Sequence, residues 1–157
     1  MITLYHSSNV SVVTPDTLHS RNNLDFGKGF YLTTILDQAL SYAQRFTRRK
    51  QPGWVNTYRF DFISEEWKVL LLPSYDRMWL DFISKCRAGE DDTDYDLVIG
   101  GIANDKVIRT LDRYFENEIS ADQALGILKY EKPNVQYCIR SQRMLDECIT
   151  HIESKQL

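Results

Sequence analysis

The sequence predicts a single α+β domain, because short strand-like runs alternate along it with helices that each carry one apolar stripe. Its 157 residues are enough for one compact domain with a hydrophobic core. Hydrophobic residues make up 43% and charged residues 26%, which are ordinary values for a globular protein. Seven Gly and four Pro are too few for a low-complexity linker. We therefore expect residues 1–157 to form one domain.

Strands are predicted where short apolar runs are bounded by turn residues. Residues 54–62 show the clearest alternation, with Trp54, Tyr58 and Phe60 on one face and more polar residues on the other. A polar turn follows, so residues 67–72 are expected to pair with this strand as a hairpin. The predicted strands cover residues 2–6, 29–33, 54–62, 67–72, 95–100 and 135–139.

Helices are predicted where apolar residues recur at intervals of three or four behind a polar capping residue. Ser74 and Asn104 can cap two of them, and Ser120 with Gln123 forms the capping-box pattern of a third. A helix is also expected at residues 37–50, directly behind the second strand. The closing helix is predicted from the apolar residues Met144, Leu145, Cys148, Ile149 and Ile152.

Composition excludes several classes of protein and site. No apolar run approaches the roughly 20 residues that a membrane-spanning helix needs, and the first residues lack the regions of a signal peptide. The three Cys and three His are scattered singly, which disfavours a zinc site and is typical of reduced thiols in the cytoplasm. The net charge of −3 argues against a broad nucleic-acid-binding surface. We expect a cytoplasmic protein with no metal and no membrane partner.

The most unusual segment is residues 25–33, which read Asp-Phe-Gly-Lys-Gly-Phe-Tyr-Leu-Thr. Its two glycines let the backbone turn sharply and approach another group closely. A strand begins at once, and Tyr31 presents a flat amphipathic ring there. The segment lacks the third glycine of a dinucleotide fingerprint and the Lys-Ser/Thr ending of a phosphate loop. From these residues alone, a glycine-rich hairpin turn followed by a core tyrosine is the simpler interpretation.

Two further residues favour a ligand site near that turn. His6 ends the first strand, where its ring either points into a cleft or is a hydrogen-bonded structural histidine. Tyr42 follows Tyr31 by eleven residues, on the helix behind the second strand. Two tyrosines placed in this way can sandwich a planar heteroaromatic ring, with about 0.5–1.5 kcal/mol from each stacking contact.

These residues belong to a pattern that resembles a known family. Residues 26–31, Phe-Gly-Lys-Gly-Phe-Tyr, together with Tyr42, resemble the donor-site segment of ADP-ribosyltransferases of the diphtheria-toxin and poly(ADP-ribose) polymerase type. Leu-Tyr-His-Ser-Ser at residues 4–8 resembles the Leu-Trp-His-Gly-Ser that ends their first strand. Val-Gln-Tyr-Cys-Ile at residues 135–139 resembles the strand that carries their third signature residue, usually Glu. The chain also resembles small bacterial proteins of an uncharacterised branch of this superfamily.

The resemblance implies a fold, a co-substrate and a set of site residues. The fold would be a split β-sandwich of two antiparallel sheets with flanking helices, and the co-substrate would be NAD. His6 would bond a ribose hydroxyl on the adenosine side, and Gln136 the 2′-hydroxyl of the nicotinamide ribose. The Ser7 backbone would hold the nicotinamide amide. The residues implied to bind NAD are His6, Ser7, Gly27, Lys28, Gly29, Tyr31 and Tyr42, those implied in catalysis are Gln136, Tyr31 and His6, and Lys28 or Arg21 would neutralise the diphosphate.

Two positions depart from the family pattern. Gln136 stands where the polymerases have Glu, and a neutral amide can hydrogen-bond a ribose but cannot act as a general base. Polymer formation is therefore not expected, whereas a single transfer or slow NAD hydrolysis is. Ala39 stands three residues before Tyr42, where the family has a Ser that bonds the nicotinamide amide, so weaker NAD affinity is expected.

The function that the resemblance implies is mono-ADP-ribosyl transfer from NAD to a protein or nucleic-acid acceptor. Small members of this kind resemble the toxins of bacterial toxin–antitoxin or phage-defence pairs, so the resemblance also implies a small antitoxin protein as partner. An alternative is a module of the same fold that binds NAD or ADP-ribose without turnover. A third hypothesis is a protein-interaction domain that uses the aromatic face of residues 54–62.

Two other features have a functional and a structural interpretation. Asp96 lies within an apolar strand, where it either reaches the cleft or bonds a loop backbone at the strand end. The other feature is the dense basic cluster Arg45, Arg48, Arg49 and Lys50, at the end of the helix that carries Tyr42. It is explained either by the helix dipole or by contact with a nucleic-acid acceptor.

Overall fold

The fold consists of two β-sheets with helices packed around them. The computed structural model describes residues 1–61 and 66–157, and seven strands and five α-helices lie within these ranges. In chain order they are β1 (Ile2–Ser8), β2 (Phe30–Leu32), α1 (Leu36–Arg48), β3 (Trp54–Phe60), β4 (Val69–Leu72), α2 (Arg77–Arg87), β5 (Leu97–Ile102), α3 (Asp105–Phe115), α4 (Ala121–Leu128), β6 (Asn134–Ile139), α5 (Gln142–Cys148) and β7 (Ile149–Gln156). The α+β class predicted from the sequence is confirmed.

The first sheet is antiparallel, with strand order β1-β3-β7 in the described chain. Its outer strands come from opposite ends of the sequence, so the sheet joins the two chain ends. Strand β7 was not predicted, and the expected continuation of the closing helix to Ile152 is wrong, since α5 ends at Cys148. The β-branched Ile149 and Thr150 favour extended backbone. They also pair with the edge of β3, which would otherwise be unpaired.

The second sheet is mixed, with strand order β2-β6-β5-β4. Strands β4 and β5 are parallel and α2 lies between them in the chain, as parallel neighbours require a crossover connection. The expectation of two antiparallel sheets therefore holds for the first sheet only. The expected hairpin of residues 67–72 with 54–62 is also wrong, because β4 belongs to the other sheet. Residue 62 of that predicted strand lies outside the described residues.

Helix boundaries follow local capping chemistry. The Asn104 side chain accepts from the Val107 backbone N–H at 3.0 Å, which confirms the predicted cap of α3. Ser120 and Gln123 form the predicted capping box of α4. The cap of α2 is Asp76 rather than Ser74. Its carboxylate accepts the orphan N–H of the first turn and is favoured there by the helix dipole.

Apolar side chains fill three layers. The layer between the two sheets includes Leu4 and Tyr58 from the first sheet and Leu97 and Ile139 from the second, all nearly inaccessible to solvent. A second cluster packs α2, α3 and α4 on the mixed sheet. The third is small, because α1 contacts the first sheet through the small residues Ala39 and Ala43, together with Val55.

The aromatic face of β3 points into the layer between the sheets. Tyr58 and Phe60 are buried at 0% and 3% exposure, and Asn56 beside them is fully buried. The hypothesis of a protein-interaction domain required this face to be accessible. Burial of the face removes the basis of that hypothesis. Among the described residues, no helix has both the length and the apolar character needed to cross a bilayer.

Candidate functional site

A cleft opens where β1 and β2 separate. The two strands are joined by one pair of backbone hydrogen bonds between Tyr5 and Thr33, at 2.8 and 2.9 Å. Continued antiparallel pairing would place Ser7 opposite Tyr31. Instead, the Tyr31 carbonyl accepts a hydrogen bond from the His6 ring. The backbone edge of Ser7 is therefore left facing the cleft, because alternate residues of a strand present their N–H and C=O groups to the same side.

The cleft is the mouth of a cavity of about 870 Å³. This volume lies within the roughly 300–1,000 Å³ that is usual for small-molecule sites. The walls come mainly from β1, β2, α1 and the loop at residues 9–14. Further lining residues come from β6, from the segment at residues 16–25, from the end of α2, and from the end of β5 and the start of α3. Of the residues proposed from the sequence, the lining includes His6, Ser7, Gly29, Tyr31, Tyr42 and Gln136.

His6 is held by its partners in one orientation. Its Nδ1 lies 2.7 Å from the Tyr31 carbonyl oxygen. A carbonyl can only accept, so Nδ1 carries the proton and Nε2 is left as an acceptor. The ring also stacks on Phe30, with the centroids 4.1 Å apart. Burial lowers the pKa of His6, which keeps the imidazole neutral at pH 7 and preserves the Nε2 lone pair.

Tyr31 is fixed by the glycine-rich turn that precedes it. Its hydroxyl donates to the Gly27 carbonyl at 2.5 Å and accepts from the Phe26 N–H at 3.1 Å. Burial raises the pKa of Tyr31 well above its usual value, so the hydroxyl remains a donor. The ring lies nearly parallel to Phe26, with an interplanar angle of 12°. Both hydroxyl bonds therefore set the plane that Tyr31 presents to the cavity.

The two glycines are required for different structural reasons. Gly27 has φ +77°, in the left-handed region that side chains rarely adopt. Gly29 lies directly against β6, and a Cβ there would be 2.6 Å from the Cys138 sulfur and 2.8 Å from the Ile139 carbonyl oxygen. The first glycine makes the turn and the second lets β2 approach β6. The segment thus forms the turn that the sequence predicted, and it also forms one wall of the cavity.

Ser7 and Ala39 connect β1 to α1. The Ser7 hydroxyl donates to the Ala39 carbonyl oxygen at 2.5 Å. Ala39 is buried, at 2% exposure, and packs with Ala43 against the first sheet. The Ser7 side chain is therefore used within the protein, and its main chain is what faces the cleft.

Tyr42 and Gln136 are the freer members of the cavity lining. Tyr42 is 49% exposed, with the Arg45 guanidinium 4.9 Å from its ring centroid and Phe46 packed edge-on. Gln136 is half-buried on β6, next to the point where the β2–β6 pairing ends. The Gln136 backbone pairs with Gly100 of β5. Its side-chain amide forms no hydrogen bond within the described chain. The Gln136 amide is thus open to a ligand.

Three proposed residues lie elsewhere. Gly27 and Lys28 line a second, more polar pocket, and Arg21 is exposed and lines neither. A role for Lys28 or Arg21 beside a diphosphate in the main cavity has no support from this placement. Asp96 lies at the second pocket, and its carboxylate accepts from the Lys68 backbone N–H at 2.8 Å. Asp96 therefore bonds a loop backbone at the strand end, which is the structural interpretation of the two, and it does not reach the main cavity.

An ion pair that sequence reasoning missed forms part of the cavity wall. Arg87, at the end of α2, bonds the Asp25 carboxylate at 2.6 and 2.8 Å, and the Ala103 N–H donates to the same carboxylate at 2.9 Å. These contacts tie the glycine-rich segment to α2 and to the loop after β5. Nothing in the sequence around Arg87 distinguishes it from a surface arginine.

The loop at residues 9–14 is held over the first sheet by buried polar groups. Asn56 accepts from the Val12 N–H at 2.9 Å, and the Tyr58 hydroxyl donates to the Val12 carbonyl at 2.6 Å. Ser154 donates to the same Asn56 oxygen at 2.6 Å. A signal for this role was present in the sequence, since Asn56 is the polar residue on the aromatic side of the β3 alternation.

The cysteines are buried thiols, and the described acidic residues form no metal cluster. Cys86 and Cys138 are buried, and burial raises the pKa of each thiol to about 12, so both remain protonated. Within residues 1–61 and 66–157, no group of three or more His, Cys, Asp or Glu side chains has the arrangement to hold a metal ion.

Comparisons with known proteins give one match. The sequence profile of a family described as a protein of unknown function, DUF3990, matches residues 2–151. No curated protein and no solved structure matches the chain. Because the profile covers nearly all of the sequence and both sheets, the chain belongs to the DUF3990 family.

Proposed function

We propose that the cavity binds NAD and that the protein is a mono-ADP-ribosyltransferase with the split-sandwich fold of that superfamily. One observation carries the proposal: His6, Tyr31, Tyr42 and Gln136 are far apart in the sequence and line one cavity of suitable volume. The sequence resemblance assigned each of them a contact with the same molecule. The face-to-face packing of the two sheets is consistent with the proposed fold.

The protein groups fit the parts of NAD in turn. Tyr31 and Tyr42 stack on the pyridine ring, and the free backbone edge of Ser7 bonds its amide. The His6 Nε2 accepts from a ribose hydroxyl on the adenosine side, as the fixed tautomer allows. The Gln136 amide bonds the 2′-hydroxyl of the nicotinamide ribose. Each of these contacts uses a group that the protein leaves open toward the cavity.

The proposed reaction breaks the bond between the ribose C1′ and the pyridine nitrogen. The bond's electron pair goes to that nitrogen and neutralises its charge, so neutral nicotinamide leaves. A nucleophilic oxygen or nitrogen of the acceptor forms the new bond to C1′ and gives its proton to water. The transition state resembles an oxocarbenium ion, and a site that orients the leaving ring and the ribose lowers its barrier.

The chemistry available at Gln136 limits the product. An amide can orient the ribose but cannot remove a proton or pair electrostatically with the developing cation. The acceptor therefore has to be a good nucleophile, or water takes its place. We expect one ADP-ribose per acceptor site, with no chain elongation.

Release of labelled nicotinamide from NAD tests the proposal. Purified protein should release nicotinamide steadily, and Tyr31→Ala should abolish the release. Tyr130→Ala is the matched control, because Tyr130 is 81% exposed and does not line the cavity. If the wild-type protein releases no nicotinamide with or without a cell lysate as acceptor, it is not a transferase.

A second candidate is a module that binds NAD or ADP-ribose without turnover. Two observations favour it: Gln136 supplies no general base, and the buried Ala39 has no hydroxyl for the nicotinamide amide. Calorimetry distinguishes the two, since the module binds NAD saturably and its nicotinamide bond stays intact.

The biological setting is an extension of the same proposal. We place the protein in the bacterial cytoplasm, where NAD is available and where the three buried, unpaired cysteines would stay reduced. There it would act as the toxin of a toxin–antitoxin or phage-defence pair, neutralised by a small antitoxin protein. Induced expression should arrest growth, and Tyr31→Ala should relieve the arrest.

A further inference from the structure

The outer side of α1 carries a run of cations beside the cavity mouth. We call it the cationic strip. It begins between Tyr42 and Phe46, which line the cavity itself, and continues past Phe46, so it starts at the rim and leads away from it. From Tyr42 to the end of the strip the distance along a helix is about 12 Å, enough for a few successive phosphates. The strip consists of Arg45, Arg48, Arg49 and Lys50, all exposed.

The cations of the strip are not neutralised within the protein. None of them forms an ion pair with an acidic side chain in residues 1–61 or 66–157. By contrast, Arg59, Arg77 and Arg113 each pair with a nearby carboxylate. The chain as a whole carries a charge of −3, so this local excess of positive charge runs against its overall balance.

The helix dipole explains only part of the strip. Arg45 and Arg48 lie in the last turn of α1, where cations are favoured. Arg49 and Lys50 lie beyond its last residue, and Lys50 has a left-handed φ of +59°. The positive run thus extends past the helix end, along the surface that leaves the cavity mouth.

An aromatic group and a guanidinium lie at the start of the strip. The Arg45 guanidinium stands over one face of the Tyr42 ring, with Phe46 against the ring's edge. Because Arg45 is exposed, the guanidinium presents its outer face to solvent. Proteins that bind single-stranded nucleic acids combine stacking surfaces for the bases with cations that pair with the phosphates.

We infer that the acceptor is a single-stranded nucleic acid, whose phosphates follow the cationic strip and whose reactive nucleotide enters the cavity mouth. The inference rests on the proposed function for the transfer step, but the binding itself does not require NAD. An acidic protein would pair with the same cations but would make no use of the stacking surface at Arg45. A local strip of this kind is also compatible with the net charge of −3.

Binding of fluorescent 15-nucleotide RNA and DNA single strands, measured by anisotropy without NAD, tests the inference. The triple variant Arg48→Gln, Arg49→Gln and Lys50→Gln should bind at least tenfold more weakly. The slope of log K against log salt should become shallower by about 2, from roughly 0.7 for each lost phosphate contact. Circular dichroism checks that the variant is folded. The matched control removes Lys85, Lys106 and Lys132, which are exposed, unpaired in the described chain and absent from the cavity lining.

The outcomes separate this inference from the proposed function. Selective loss of strand binding in the triple variant, with the control unchanged, supports the inference whether or not nicotinamide is released. Equal losses in both variants would overturn it, as would tighter binding to a polyglutamate peptide than to either strand. Nicotinamide release in the absence of an acceptor reports on the NAD site alone, and it should be the same in the triple variant as in the wild type.

Discussion

The two sides of the cavity differ in how firmly the protein holds their side chains. On the anchored side, His6 and Tyr31 share a hydrogen bond, and Tyr31 makes two more to the turn before it. On the open side, Tyr42 is half exposed, and the Gln136 side-chain amide forms no hydrogen bond within the described chain. The anchored side is therefore organised before a ligand arrives, whereas the open side keeps its hydrogen-bonding and stacking groups for the ligand. Substitutions should therefore affect stability on the anchored side and ligand contacts alone on the open side.

The largest expected effect is that of Tyr31→Ala. Loss of the ring and of both hydroxyl bonds should lower the free energy of unfolding by about 3 kcal/mol and abolish nicotinamide release. Tyr31→Phe keeps the ring and leaves two backbone groups unpaired, so it should cost about 1–2 kcal/mol and retain some turnover. Urea unfolding and nicotinamide assays measure both quantities. If Tyr31→Ala unfolds at the same urea concentration as wild type, the anchored side is not anchored by Tyr31.

His6→Ala comes next in size. It removes a ring that bonds the Tyr31 carbonyl and offers Nε2 to the ligand. NAD binding should weaken by roughly 1–3 kcal/mol, measured by calorimetry. Tyr130→Ala serves as control, because Tyr130 is 81% exposed and lies outside the cavity lining. An NAD affinity that is equal in His6→Ala and wild type would remove His6 from the site.

On the open side, Gln136→Glu should change chemistry without changing the fold. The side chain has no hydrogen bond to lose within the described chain, so the free energy of unfolding should move by less than about 1 kcal/mol. A carboxylate at this position can pair with the developing cation and accept a proton, which should raise turnover about tenfold or widen the range of acceptors. Thermal unfolding and nicotinamide release measure the two effects. Unfolding of the variant would instead make Gln136 a structural residue of β6.

Tyr42→Ala should have a smaller effect on binding and almost none on stability. One stacking contact is lost, so NAD affinity should fall by about 0.5–1.5 kcal/mol. The ring is 49% exposed, and the unfolding free energy should therefore stay within about 0.5 kcal/mol of wild type. Calorimetry and urea unfolding test both statements. A loss of stability as large as that of Tyr31→Ala would erase the distinction between the two sides.

The smallest effect is the pH dependence that His6 contributes to stability. Burial lowers the pKa of His6 from its usual 6.5, so the unfolded chain takes up this proton more readily than the folded one. The contribution of His6 is complete above about pH 6.5 and is lost as the pH falls below that value. Between pH 7.5 and 5.5, wild type should therefore lose more stability than His6→Gln in urea unfolding. Equal losses would show that His6 does not titrate with folding.

The sequence predicted the local elements of the fold better than their pairing. The caps at Asn104 and Ser120 depend on hydrogen bonds within one helical turn, so they can be read from neighbouring residues. The partner of β4 and the existence of β7 depend on which distant edge is free, and no local pattern specifies that. The strand at residues 149–156 also continues directly from α5, with no glycine or proline to mark the change.

Much of the candidate site could be proposed from the sequence because its turn has unusual chemistry. Gly27 and Gly29 indicate a sharp turn and a close approach of the backbone to a neighbouring strand. Tyr31 and His6 lie beside this turn once the strands pair. Arg87 could not be proposed, since its contact with Asp25 spans 62 residues and depends on how α2 packs. Lys28 was assigned by its place in the motif, but the turn directs it to the other pocket.

The most direct test is a crystal structure of the protein with an NAD analogue whose nicotinamide bond cannot be cleaved. The proposal predicts the pyridine ring between Tyr31 and Tyr42, about 4 Å from each ring, with a ribose hydroxyl bonded to the His6 Nε2 and the Gln136 amide on the other ribose. A dinucleotide bound outside the cavity, or no bound dinucleotide at millimolar concentration, would contradict it.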